Sequence, residues 1–108
     1  MHINIIVTTQ FEAIHCWPQC PFNDVAFLRA PHRHIFHVTM KWKVMHTNRD
    51  VEFIRMKREV DVFIKNTFKG KDLGLMSCED IAVKLQSEFL CNYVSIFEDN
   101  ENGAEITI

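Results

Sequence analysis

Apolar and polar positions alternate along the first part of the chain, as they do in a half-buried strand. From His2 to Ile14 the odd positions Ile3, Ile5, Val7, Phe11 and Ala13 share one face, and His15 falls on that face at its far end. Cys16 to Pro31 breaks the pattern. Pro18, Pro21 and Pro31 argue against a continuous helix or central strand there, so a long loop is expected, of a length often reserved for function. Alternation returns from about His32 to Met45. The even face reads His32, His34, Phe36, Val38, Met40, Trp42 and Val44, and the odd face carries Arg33, His37, Thr39, Lys41 and Lys43.

From Val51 to Phe68 the period becomes helical, with Phe53, Met56, Val60, Phe63 and Ile64 at three- and four-residue steps. Asp50 is placed to cap the start, and Gly70 to stop the helix. A second helix starts near Ser77, where Ser77-Cys78-Glu79-Asp80 resembles a capping box, and its stripe is Ile81, Leu85 and Phe89. Two short strands follow, Tyr93 to Glu98 and Ala104 to Ile108, joined as a hairpin through Asp99 to Gly103.

The order ββααββ predicts an α+β domain: a four-stranded antiparallel sheet with two helices on one face. With 108 residues, 1–108 is expected to form one domain around one core. A chain of this size hides roughly two thirds of the surface it would expose unfolded. The 47% hydrophobic content and nine phenylalanines argue against disorder. The other sheet face needs its own cover, with Ile6, Ile14, Ile35 and Tyr93 as candidates, and an oligomer would supply it.

Charge narrows the partners. Twelve basic residues stand against 14 acidic ones, and the densest basic stretch, Arg49 to Lys71, is interleaved with Asp50, Glu52, Glu59 and Asp61. That is a solvated helix face and not a phosphate-gripping surface, so nucleic acid is not an expected partner. No apolar run approaches the ~20 residues a spanning helix needs, so no membrane partner is expected. The stretch from Met1 to Val7 lacks a basic leader and an extended apolar block, which predicts no export signal and a cytoplasmic protein. Cys16, Cys20, Cys78 and Cys91 are then expected as free thiols.

The histidines carry the sharpest chemistry. Residues two apart on a strand point the same way, so His32 and His34 project from one face about 6 to 7 Å apart. In an antiparallel hairpin the end of the first strand lies beside the start of the second, which brings His15 to the same place and face. Three imidazoles with a fourth position open is the pattern of a catalytic zinc site. A rival set, Cys16, Cys20, His32 and His34, would make a closed structural zinc with spacings outside the usual finger patterns. His2, His37 and His46 read as surface histidines.

Several segments together resemble the 6-pyruvoyl/6-carboxy-tetrahydropterin synthase family. Phe11-Glu12-Ala13-Ile14-His15 is similar to that family's Phe-x-Ala-x-His, and His32-Arg33-His34-Ile35-Phe36-His37-Val38 to its His-Gly-His-x-Tyr-x-Val. Asp50 to Lys57 is similar to the segment that opens its first helix, Ser77 to Ala82 to its Thr-x-Glu-Asn-x-Ala, and Val94 to Glu98 to its closing strand. The matches run in order over nearly the whole chain. The resemblance implies the tunnelling fold, with subunits joining their sheets into a barrel as a homo-oligomer, a tetramer or hexamer. It also implies Zn2+ on His15, His32 and His34, and a pterin substrate held by Glu98 and Ser77. A carboxylate suits that task because it accepts two parallel hydrogen bonds from a 2-aminopyrimidinone.

The departures concern catalysis. The family's Cys four residues before the His-Gly-His is here Leu28, its middle Gly is Arg33, and the segment bearing its catalytic His has shrunk to Lys71 to Leu75. Asp72 survives from that segment, and Cys20, in the same loop as Leu28, is the candidate for a rebuilt proton carrier, its thiolate favoured by zinc and Arg33 nearby. The implied activity is a zinc-dependent pterin lyase acting on dihydroneopterin triphosphate or a related pterin. The alternatives are a non-catalytic pterin- or purine-binding protein that lost the proton shuttle, and a structural zinc domain serving as an assembly subunit.

Overall fold

The computed structural model describes residues 1–108. Its elements are β1 (Ile3–His15), β2 (His32–Val44), α1 (Phe53–Thr67), α2 (Cys78–Phe89), β3 (Tyr93–Glu98) and β4 (Asn102–Thr107), which form one antiparallel sheet in the order β1-β2-β3-β4. The ββααββ order and the two helices on one sheet face are as the pattern predicts. No helix is long and apolar enough to cross a membrane.

Strand parity decides what is buried. Val7, Phe11, Ala13 and His15 on β1 and Phe36, Val38, Met40, Trp42 and Val44 on β2 turn inward with Val94 and Ile96 of β3. Val60, Ile64, Ile81, Ala82 and Leu85 of the helices pack over them, with Phe68 just beyond α1. Phe11 stacks between Phe36 and Phe68 at centroid distances of 5.2 and 5.4 Å. Burying a ring such as Phe36 stabilises the fold by about 1.5–3 kcal/mol. On the opposite face Ile6, Ile14 and Ile35 are exposed and Tyr93 is half-buried, as expected, and Phe97 joins them.

Three local expectations change. Glu52 caps α1 through its own carboxylate to the Ile54 N–H, while Asp50 instead accepts from the Met45 N–H and closes the turn after β2. The long loop contains a kinked 3-10 segment, Asn23–Arg29, tied back by the Arg29 guanidinium to the Cys20 carbonyl and Asn23. The final hairpin is tighter: Glu98 already pairs with Asn102, and Asp99 and Asn100 turn the chain with φ of 52° and 59°, left-handed values that Asp and Asn tolerate. Gly103 is pressed against β3, where a Cβ would lie 1.9 Å from the Ile96 carbonyl oxygen.

The capping box at α2 is present as predicted: Asp80 N–H to Ser77 Oγ, and Ser77 N–H back to the Asp80 carboxylate. Just before it, residues 70–74 lie along the outer edge of β1. The Gly70 N–H donates to Glu12 O, Ile14 N–H to Lys71 O, Leu73 N–H to Ile14 O, and Cys16 N–H to Gly74 O. These bonds satisfy the end of an otherwise open strand edge and carry Met76 to the side of His15.

Candidate metal centre

The β1–β2 register puts His15 directly opposite His32, with His34 opposite Ala13. All three side chains leave the inner sheet face, so their ligand nitrogens converge within 4.8 Å of one another. The group contains no cysteine, which sets aside the two-Cys, two-His alternative.

Each imidazole is oriented from behind by an acceptor. His15 Nδ1 lies 2.7 Å from the Met76 carbonyl oxygen, His32 Nδ1 2.8 Å from the Ala30 carbonyl oxygen, and His34 Nδ1 2.6 Å from an oxygen of the Asp99 carboxylate. A carbonyl only accepts and an ionised carboxylate only accepts, so each Nδ1 carries the proton. In the neutral ring each Nε2 then presents a lone pair. All three Nε2 atoms are buried without a hydrogen-bond partner. Three buried lone pairs within one cluster can be satisfied by a shared cation, and a hydrogen-bonded Nδ1 behind each ring is the usual support of a metal-bound histidine. The residues fit a zinc ion.

Glu98 approaches two of the three rings from β3. It pairs with Phe36, which places its side chain on the inner face. One carboxylate oxygen is 3.2 Å from His15 Nε2 and the other 3.3 Å from His34 Nε2. Glu98 raises the His15 pKa above its ordinary value, against the opposing effect of burial and with help from the Met76 carbonyl. In turn His15 lowers the Glu98 pKa, again against burial, with His34 adding to the effect. Asp99 is lowered as well, chiefly by its hydrogen bond to His34 and then by the Ile35 N–H.

A cavity of about 420 Å³ opens beside the histidines. His15, His32, Glu98 and Ser77 line it with Cys16, Trp17, Leu28, Met76 and Cys78. Cys78 is a thiol in this setting. Burial first, then the Glu98 carboxylate, pushes its pKa up to about 12, and its Sγ lies 3.5 Å from Glu98 Oε1 as a weak donor.

Of the sequence-predicted residues, the structure brings together His15, His32, His34, Glu98 and Ser77. Cys20 is not among them: it is buried within its own loop, its thiol directed at the Phe22 carbonyl oxygen at 3.7 Å. Asp72 also lies apart, bonding the Gly74 N–H beside the β1 edge. Arg33 does not lie beside the three histidines. It points to the opposite sheet face and meets the Glu12 carboxylate at 2.6 Å, as its odd position requires. The thiols that do line the cavity are Cys16 and Cys78. Asp99 and the Met76 and Ala30 carbonyls are the supports that sequence reasoning missed. Asp99 had a usable signal, an acidic residue directly after the strand that ends in Glu98.

No family model matches the chain, and no curated protein matches it in sequence. Among solved structures, the chain is similar to 6-pyruvoyl tetrahydropterin synthase of Caenorhabditis elegans, with 14% sequence identity and a TM-score of 0.75 over 100% of this chain and 96% of that one. The four-stranded sheet with two helices is therefore the fold of that synthase.

Proposed function

We propose that the protein holds one zinc ion on His15, His32 and His34 and acts on a pterin-type substrate in the adjoining cavity, as a lyase of the tetrahydropterin synthase type. The observation that supports this best is the convergence of three buried Nε2 lone pairs beside a cavity of about 420 Å³, within the 300–1,000 Å³ range of small-molecule sites. Zinc, when bound, would act there as a Lewis acid that stabilises negative charge on a coordinated oxygen. The chain's own residues do the rest. Met76, Ala30 and Asp99 hold the imidazoles in the metal-binding tautomer, Trp17 and Met76 give the cavity apolar wall, and Glu98 and Ser77 offer acceptors to the N–H edge of a pterin.

A second reading, a zinc-containing pterin- or purine-binding protein without turnover, draws on one observation. Cys20, the candidate proton carrier, and Asp72, the residue left from the family's catalytic segment, do not line the cavity. Incubating the zinc-loaded protein with dihydroneopterin triphosphate and following product by chromatography separates the two. Product formation that His32→Ala abolishes supports the lyase. Saturable pterin binding with no product supports the binding protein, and neither binding nor product would overturn both.

A further inference from the structure

We propose that Glu98 is a fourth protein ligand of the metal centre, closing a three-histidine, one-carboxylate site until an incoming ligand displaces it. This rests on the reading of His15, His32 and His34 as metal-binding residues and adds a state of that site in which no position is left to water.

The distances support it. Ligand atoms bound to zinc at 2.0–2.1 Å in a tetrahedral site lie roughly 3.3 Å apart along each edge. The Glu98 oxygens stand 3.2 Å from His15 Nε2 and 3.3 Å from His34 Nε2. One Glu98 oxygen therefore sits at ligand-to-ligand spacing from His15 Nε2 and the other from His34 Nε2, so a small shift of the carboxylate toward His32 would complete the site.

The donor inventory leads to the same assignment. With every Nδ1 engaged as donor to Met76, Ala30 or Asp99, the three imidazoles in their metal-binding neutral form and the ionised carboxylate would turn only acceptors toward a bound cation. Such contacts are held together by a proton in the metal-free protein and by the cation once a metal is bound. Glu98 thus completes a negatively charged donor set, which suits a divalent cation better than three neutral imidazoles alone.

The backbone and its neighbours hold this arrangement. Glu98 ends β3, and Asp99 begins the left-handed turn that follows. The two consecutive carboxylates take opposite ends of one ring: Asp99 at His34 Nδ1 and Glu98 near His34 Nε2. The Cys78 thiol reaches Glu98 Oε1 from α2. The Glu98 side chain still keeps 27% of its surface exposed to the cavity, so an entering ligand can reach it and compete.

The test loads the full-length protein with Co(II), whose visible spectrum reports ligand number, and measures affinity by chelator competition. Wild type, Glu98→Gln, Glu98→Ala and His15→Ala are compared, with circular dichroism to confirm folding. The nearly isosteric Glu98→Gln serves if the alanine variant unfolds. Losing even an outer-shell partner costs about 10–100-fold in metal affinity. Both Glu98 variants should therefore bind Co(II) at least ~10-fold more weakly, with a shifted spectrum. Thiocyanate should perturb Glu98→Ala at concentrations that leave wild type unchanged. Equal affinity, equal spectra and equal thiocyanate sensitivity would overturn the inference while leaving the histidine centre standing. If wild type takes up no Co(II), the histidine reading fails and the Glu98 assignment with it.

Discussion

Two neighbouring stretches border the cavity, the facing ends of β1 and β2 and the segment from Cys16 to Pro31 that joins them, and they are organised by different physics. On the strands, side-chain direction follows from position alone. His15, His32 and His34 must share a face because parity and register leave no other arrangement. In the connecting segment no period fixes direction. The kinked 3-10 turn sends Cys20 inward to its own loop and leaves Cys16 on the cavity wall. Ladder residues can therefore be assigned chemistry from sequence with some security, and loop residues only after the loop's own hydrogen bonds are known.

The largest break in this comparison should come from removing what makes the ladder rigid. Phe36→Ala empties the space between Phe11, His15 and His34, and a truncation of that kind costs about 3–5 kcal/mol. Denaturant unfolding should show that loss, and zinc binding should weaken along with stability. Stability unchanged to within about 1 kcal/mol would mean that the ladder does not depend on this ring.

A smaller and more selective effect is expected at Asp99. Asp99→Asn removes the charge behind His34, and metal affinity should fall by about 10–100-fold with little change in thermal stability. Unaltered affinity would show that Asp99 does not set the His34 tautomer.

Most of the fold was legible in the sequence because alternation on β1 and β2 and the helical stripes of α1 and α2 agree with one another. The three histidines were legible for the same reason. What stayed hidden depends on tertiary bonds with no periodic signature. The Met76 carbonyl reaches His15 only because residues 70–74 dock along the β1 edge. Asp50 reads as a helix cap, yet it bonds backward to Met45, and Glu52 takes its place. Glu98 was visible only through resemblance, although its register opposite Phe36 turns it toward the histidines.

The loop half of the comparison makes weaker predictions. Cys20→Ala should leave zinc affinity unchanged to within about 2-fold, since no bond joins Cys20 to the centre, and should cost about 1 kcal/mol for the lost buried sulfur. A large drop in metal affinity would return Cys20 to the site. The smallest effect concerns labelling. At pH 8, iodoacetamide should modify the half-buried Cys16 ahead of the buried Cys20, Cys78 and Cys91, as read by peptide mass mapping. Cys78 should be slow for a second reason, because a thiol with its pKa near 12 holds almost no thiolate at that pH. Preferential modification of Cys78 would contradict the placement of that thiol.

The most direct measurement of the centre itself is a zinc titration of metal-stripped wild type and His15→Ala against a chromophoric chelator. One equivalent bound tightly by wild type, and none by His15→Ala at the same chelator concentration, is the predicted result. Equal uptake by the two proteins, or none by either, would contradict a zinc site built on the three histidines.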